Sequence, residues 1–181
     1  MRSDFRMPAL TLGDVQSIVK DGKDVENIAK EMTWQDFEGI AAEIFAANGF
    51  RTHRNFRFSS KKKRYEIDVV AMDSPRIILA DCKHWSIRQG KTSGLRAAAE
   101  AQKVRAIEFA SKIQEYGLLG IQEWKPATVI PMVITLYQES IVEGNGTFVV
   151  PLFKLNSFIE GARNGLCCGK EVKPRHIDSW I

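Results

Sequence analysis

Histidine and cysteine are scarce in this chain, three of each in 181 residues. The cysteines are Cys82 and the adjacent Cys167 and Cys168, which form neither a disulfide framework nor a C-x-x-C metal pattern, and the histidines are scattered. A structural zinc site is therefore not expected. No run of about 18 apolar residues occurs, and the opening MRSDFRMPAL lacks the apolar centre of a secretory signal. The expectation is a soluble, cytoplasmic protein. Internal repeats and low-complexity stretches are missing as well. At 44% hydrophobic content the chain can bury one sizeable core, but it is too short for two full-sized domains. The reading is one α/β domain over 32–165, a helical appendage over 1–31 and a tail over 166–181.

What is present is positive charge in one place. The formal net charge is +4 with a pI near 9.0, a weak pointer to an anionic partner. Its distribution says more: Arg51, Arg54, Arg57, Lys61, Lys62, Lys63 and Arg64 follow one another with His53 and no acidic residue between them. Such a stretch is either a solvated loop tip or a surface for a polyanion, and its position in the fold decides between them.

Residues 11–31 read as one or two short amphipathic helices, broken near Asp21 and Gly22. A sharper helix follows. Thr33 and Asp36 stand as a capping box, and Gly49 is the stop. At ~100° per residue Trp34, Phe37, Ala41, Ile44 and Phe45 share one arc, with Glu38 at its edge. An inward carboxylate requires a partner; the plainer alternative is that Glu38 borders the stripe and reaches water. After Gly49, FRTHRNFRF, RYEIDVVAM and RIILADCKHW are strand-like, joined by the polar SSKKK and by Asp73-Ser74-Pro75. Links this short predict an antiparallel meander. A long helix is expected over 93–117, with Leu95, Ala98, Ala99, Ala106, Phe109, Ala110, Ile113 and Tyr116 on one stripe and Gln102 in its middle. A buried amide must be hydrogen-bonded, so Gln102 either supports a polar site or bonds to core backbone. ATVIPMVITLY reads as a buried strand, Asn145-Gly146 as a turn before TFVVPL, and Leu155 to Ala162 as a short helix.

The chemistry concentrates on two strands. Asp68 lies in the middle of an otherwise apolar strand, and Asp81-Cys82-Lys83 ends another. Alternate side chains of a strand share a face, so Asp81 and Lys83 point together, Cys82 points away, and Glu66 shares a face with Asp68. The hairpin can bring Asp68 alongside Asp81. Charges placed there are costly unless they meet one another or a metal. Two carboxylates and a main-chain carbonyl suit a hard divalent cation such as Mg²⁺, and an adjacent ammonium can stabilise developing charge. A structural ion pair between Asp68 and Lys83 is the simpler alternative.

Glu38 in a first helix, Asp68 in a strand, 12 intervening residues, Asp81-Cys82-Lys83 and then a helix with Gln102 resemble the PD-(D/E)xK nuclease superfamily. Phe37-Glu38 with Ile40, Glu43 and Ile44 leading to Gly49-Phe50, and then Glu66-Ile67-Asp68-Val69-Val70, look like its Mrr-like restriction endonuclease branch; archaeal Holliday-junction resolvases are similar in layout. The resemblance spans about 33–117, extends to 127–162 only as final strands and helix, and does not touch the first 30 residues. It implies a restriction-endonuclease-like α/β core with a mixed central sheet flanked by helices, and DNA cleavage with Mg²⁺, for which Mn²⁺ substitutes. By position, Asp68, Asp81 and the Cys82 carbonyl would be metal ligands, Lys83 the catalytic lysine, and Glu38 a carboxylate assisting metal or water. Gln102 joins the catalytic group. Ile67 stands where many members have proline, Asp81 where glutamate is commoner, and Ala106 where the exonuclease branch has tyrosine.

On this reading the basic stretch 51–64 meets DNA phosphates. Lys91, Arg96 and Lys103 extend that surface, and Trp85 either stacks on a base or belongs to the core. Cutting both strands of a duplex favours a homodimer. A DNA-binding module without catalysis, a junction-resolving nuclease, and an interaction protein whose charges merely pair are the other readings left open.

Overall fold

Thr33 and Asp36 form the capping box read from the sequence: the Asp36 N–H donates to the Thr33 hydroxyl, and the Thr33 N–H donates to the Asp36 carboxylate. Two N–H groups with no intrahelical acceptor are thereby satisfied at once. The helix they start, α1, runs Trp34–Ala47, and beyond it Gly49 adopts a φ of 77°, a left-handed conformation suited to glycine after a helix end. The computed structural model describes residues 11–14, 32–84, 91–124, 126–137, 143–163, 166–167 and 170–171. Most of the expected appendage and tail, with Trp85, lie outside these residues.

Next come β1 (Arg51–Ser60), β2 (Lys63–Asp73), β3 (Arg76–Lys83), α2 (Lys91–Ala110), β4 (Thr128–Thr135), β5 (Glu143–Gly144), β6 (Thr147–Pro151), α3 (Leu155–Arg163) and the short pair β7 (Leu166–Cys167) and β8 (Lys170–Glu171). Six strands form one mixed sheet in the order β1-β2-β3-β4-β6-β5. The meander β1-β2-β3 is antiparallel as its short links demand, and β4 and β6 then join parallel. Between β3 and β4 the chain crosses over through α2, the long connection that a parallel neighbour requires.

Two cores follow from the two-residue period of the strands. Val69, Ala71, Ile78, Ala80, Met132 and Ile134 pack with Phe37, Ile40, Ala41 and Phe45 of α1 and with Leu155 and Ile159 of α3. Val70, Met72, Ile77 and Leu79 pack on the opposite face with Ala106 and Phe109 of α2, while Leu95 and Ala98 of α2 meet Val133 and Val149. The protein is thus a sheet with helices on both faces. Each fully buried Phe or Ile contributes roughly 1.5–3 kcal/mol relative to exposure, and Phe37, Phe45 and Phe109 are all completely buried.

Three expectations need correction. Trp34, placed on the buried stripe of α1, is 56% exposed, because it stands at the first helical position, before the helix lies down on the sheet. The long helix closes at Ala110 rather than near Gly117; Ile113–Glu115 and Gly117–Leu119 are separate 3-10 turns that carry Tyr116 and Leu119 into the α2-side core. Strict alternation also fails in the middle of β2. Ile67 lies two residues before Val69 yet packs in the other core, together with its partner Phe56. Opposite Asp68, between the pairs Arg54–Val69 and Phe56–Ile67, stands Asn55 with a φ of 53°. A positive φ in mid-strand is uncommon outside glycine, and asparagine tolerates it best. The face of the ribbon therefore changes at Asp68, and the shared-face rule does not carry from Glu66 to Asp68.

Candidate functional site

The main-chain ladder between β2 and β3 runs from Asp73–Arg76 to Val69–Ala80. One step further the same register sets Asp68 opposite Asp81, and there the pattern changes: the Asp68 carboxylate, not a carbonyl, accepts the Cys82 N–H at 2.7 Å. Asp68 and Asp81 are thus brought side by side where β3 ends, as the hairpin reading anticipated. Burial pushes the Asp68 carboxyl up, the neighbouring Asp81 adds to this, and the Cys82 N–H, Lys83 and Arg105 pull the other way.

Asp81 is 4% exposed and ringed by cations. The Lys83 ammonium lies 2.8 Å from Oδ2, and the Arg105 guanidinium donates to Oδ1 at 2.9 Å. The two cations thus take one oxygen each, Lys83 at Oδ2 and Arg105 at Oδ1. The simpler alternative, an Asp68–Lys83 pair, is not what forms. Gln102 is completely buried; its amide donates to the Leu79 carbonyl at 2.7 Å and its oxygen accepts from Arg105 at 2.9 Å. Gln102 thus bonds both to core backbone and to the arginine that holds Asp81.

Glu38 approaches from α1 and is 6% exposed, an inward carboxylate rather than one reaching water. Its one described cationic neighbour is Arg54 at 3.7 Å, and Oε2 is buried without a hydrogen bond. Burial first, and the Asp68 charge second, raise its carboxyl to about 7 against the pull of Arg54. Cys82 packs towards the α1 core. Its thiol is pushed well up by burial, with Asp68 and Glu38 adding to the effect, so it is a spacer between Asp81 and Lys83 and not a nucleophile.

The expected gathering of three carboxylates is met only in part. Among the described residues no three His, Cys, Asp or Glu side chains are grouped closely enough to hold a metal ion. What the fold does assemble is the Asp68–Asp81 pair, with Glu38 within electrostatic reach of Asp68. Glu38 Oε2 is buried without a hydrogen bond and has Arg54 at 3.7 Å, whereas Asp81 Oδ2 faces the Lys83 ammonium at 2.8 Å. Carboxylate oxygens are the ligand type that a hard divalent cation prefers.

The basic residues divide. Arg51 is spent on the Leu119 carbonyl at 2.6 Å, and Arg54 on Glu38 and the Gln35 carbonyl. Arg57 pairs with Glu66 at the surface, and Lys61 joins Ser60 in bonding Glu108 of α2. Lys62 is exposed at the two-residue turn, where it and Lys61 have φ values of 66° and 48°; Lys63 lies over the Tyr65 ring and Arg64 is exposed. Arg57, Phe58, Ser59, Arg64, Tyr65 and Glu66 line a concavity of about 510 Å³. Beyond Asp68 the β1–β2 ribbon continues without a paired β3 residue. Arg96 is exposed on α2 and Lys103 is half-buried; the side chain of Lys91 lies outside the described set.

Two residues escaped the sequence reading. Arg105 stands three positions after Gln102, a spacing that places two side chains together on a helix, and that was the available signal. His84 directly follows Lys83; its ring meets Phe37 edge-on at 5.8 Å and its Nε2 is buried without a hydrogen bond. Nothing in a lone histidine marked it.

A mixed sheet between helices, with an acidic pair and a lysine where β2 and β3 part, defines an α/β protein of the restriction-endonuclease-like class. A family model described as restriction endonuclease, of the Mrr catalytic type, matches residues 29–116. An uncharacterized protein of Archaeoglobus fulgidus is 33% identical over 128 residues, which cover 71% of this chain and 90% of that protein. The chain belongs to this restriction-endonuclease family. Among solved structures it is similar to a protein of unknown function, at 17% identity over 74% of this chain with a TM-score of 0.38, and spans 55% of that protein's length. It is also similar to the small subunit of a heterodimeric restriction endonuclease, at 12% identity over 90% of this chain and 82% of that one, with a TM-score of 0.42. Among the described residues no helix is long and apolar enough to cross a membrane.

Proposed function

We propose that this restriction-endonuclease-like nuclease is a Mg²⁺-dependent DNA endonuclease acting in restriction or in repair and recombination, with its centre at Asp68, Asp81 and Lys83. The observation that carries the reading is the end of the β2–β3 ladder, where two carboxylates stand side by side and the Lys83 ammonium lies 2.8 Å from Asp81. Asp68, Asp81 and the Cys82 carbonyl would hold the ion, with Glu38 beside them; Mn²⁺ has the same preference for oxygen and substitutes. When bound, such an ion polarises the phosphodiester and offsets charge developing on the phosphorane.

The protein's own groups supply the rest. Lys83 stabilises negative charge on the phosphate as it forms. Glu38, with a carboxyl near 7, is poised to take a proton from the attacking water at neutral pH. The outer end of the β1–β2 ribbon presents Lys62, Lys63 and Arg64 to the DNA backbone, giving salt-sensitive affinity. Arg51 and Arg54, though exposed, are also held by the Leu119 carbonyl and by Glu38 with the Gln35 carbonyl. Two centres acting on opposite strands would come from a homodimer.

The closed Lys83–Asp81–Arg105 pairing is also what a catalytically silent DNA-binding module of this fold would show, and one experiment separates the two. Purified protein with Mg²⁺ is to nick or linearise plasmid DNA, and Lys83→Ala and Asp68→Asn are each to reduce the rate by about 10²–10⁴-fold with circular dichroism unchanged. DNA binding without Mg²⁺-dependent cleavage in the wild type establishes the silent module. Undiminished cleavage in both variants rejects the centre.

A further inference from the structure

Past Asp68 the β1–β2 ribbon is paired only with itself, and its two faces differ in kind. The register sets Arg57 opposite Glu66, Phe58 opposite Tyr65 and Ser59 opposite Arg64. Phe58 and Tyr65 turn to the α2-side core, stacked on each other at 5.1 Å, and Phe58 also meets Phe109 and Tyr116. Ser60 and Lys61 bond Glu108 of α2. Alternation puts Arg57, Ser59, Arg64 and Glu66 on the other face, where all four are exposed and belong to the lining of the concavity of about 510 Å³. The ribbon is thus held from behind by α2 and presents a polar row in front.

Within that row Arg57 grips Glu66 at two points: Nε donates to Oε2 at 3.1 Å and Nη2 to Oε1 at 3.2 Å. The two side chains are 76% and 45% exposed, and exposed pairs add little to stability. What the pair does is hold a planar fork of donors and a carboxylate side by side at the surface. In the major groove of DNA, guanine presents two acceptors, O6 and N7, that match such a fork, and its cytosine partner presents an N4 donor that matches a carboxylate. That groove, about 12 Å wide, admits a two-stranded ribbon. We infer that this face of the ribbon lies in the major groove of duplex DNA, where Arg57 and Glu66 together read one G·C pair, Arg57 on guanine and Glu66 on cytosine. The inference rests on the DNA-directed reading above and adds to it a source of sequence preference. A surface meant for phosphates alone gains nothing from Glu66, whose charge opposes a polyanion; a carboxylate has a use there where a base donor faces it. Lys62 and Arg64, nearer the turn, are left for the phosphates, which position a duplex without reading it.

The test reads binding rather than cleavage. Full-length protein, without divalent ions so that DNA stays intact, selects from a pool of randomised duplexes; Kd is then measured on the selected duplex and on the same duplex with G·C changed to A·T. The wild type is to enrich one fixed G·C pair and to bind the changed duplex about tenfold more weakly. Arg57→Lys, which keeps the charge but not the fork, is to lose that discrimination while the salt dependence of binding stays. Glu66→Gln is to relax the preference for cytosine and to tighten binding to every duplex. Arg64→Ala is to weaken all duplexes alike and to reduce the salt slope by about 1. A wild-type chain that binds no DNA, with or without Mg²⁺, removes the DNA-directed reading and this inference with it. Binding without an enriched G·C pair, or a preference that survives intact in either Arg57→Lys or Glu66→Gln, overturns the inference alone.

Discussion

Asp81 and Glu38 are both buried carboxylates on the path to one site, 4% and 6% exposed, and the fold treats them in opposite ways. Asp81 receives Lys83 and Arg105 at 2.8 and 2.9 Å, so its charge is matched inside the protein. Glu38 has Arg54 at 3.7 Å, a cation whose side chain is 40% exposed, and Asp68 as a like-charged neighbour. Burial with good pairing keeps a charge in place; burial with poor pairing pushes a carboxyl towards neutrality. The two groups suit different tasks: a fixed charge can anchor a cation, and a group that titrates near neutrality can move a proton.

The largest effect that would break this comparison is on stability. Asp81→Ala leaves Lys83 and Arg105 half-buried against each other without their counter-charge, and removing one partner of a buried pair costs about 3–5 kcal/mol. Because Lys83 and Arg105 are 25% and 26% exposed, the lower end is expected, about 3 kcal/mol in urea unfolding at neutral pH. A loss below about 1 kcal/mol, the range of surface pairs, would mean that solvent rather than pairing carries the Asp81 charge.

Glu38→Gln should act with the opposite sign. The folded chain holds this proton more tightly than the unfolded one, with a carboxyl near 7 against an ordinary 4.5. Its contribution to stability is therefore full below about pH 4.5 and is lost as pH rises through about 7. Between those limits the wild type should lose on the order of 3 kcal/mol that the glutamine variant retains, while cleavage falls in the variant. Denaturant unfolding at a series of pH values from about 5 to 8 reads this directly. Wild-type and variant curves of equal slope across that range would show that Glu38 stays ionised.

How much of this was legible in the sequence follows from which forces are local. The capping box of Thr33 and Asp36, the meander with its short links, and the stripe of α2 with Gln102 inside it all depend on spacing within one element, and spacing is what a sequence displays. Asp68 beside Asp81 was legible for the same reason, since one short hairpin fixes the register. Arg105 was not: its partner Asp81 lies 24 residues away on another element, and nothing on the helix alone separates a cation aimed inward from one in water. The basic stretch is a related case. Seven like charges in a row suggested one surface, yet Arg51 bonds the Leu119 carbonyl and Arg54 pairs with Glu38 of α1, partners on other elements that the stretch by itself does not display.

The smallest effect sharpens the contrast most finely. Arg54→Met removes the cation that pulls against burial at Glu38, without touching Asp81 or its partners. Exposed pairs at this separation are weak, so the midpoint of the Glu38 stability profile should move upward by less than about one pH unit, and stability well below that midpoint should hardly change. Nuclear magnetic resonance titration of the Glu38 carboxyl carbon provides a second reading. Should Arg54→Met shift the midpoint as far as the whole displacement of Glu38 from an ordinary glutamate, then Arg54 weighs as heavily on this carboxylate as burial does. The difference between the two halves of the site would then be one of distance alone: a cation at 3.7 Å rather than at 2.9 Å.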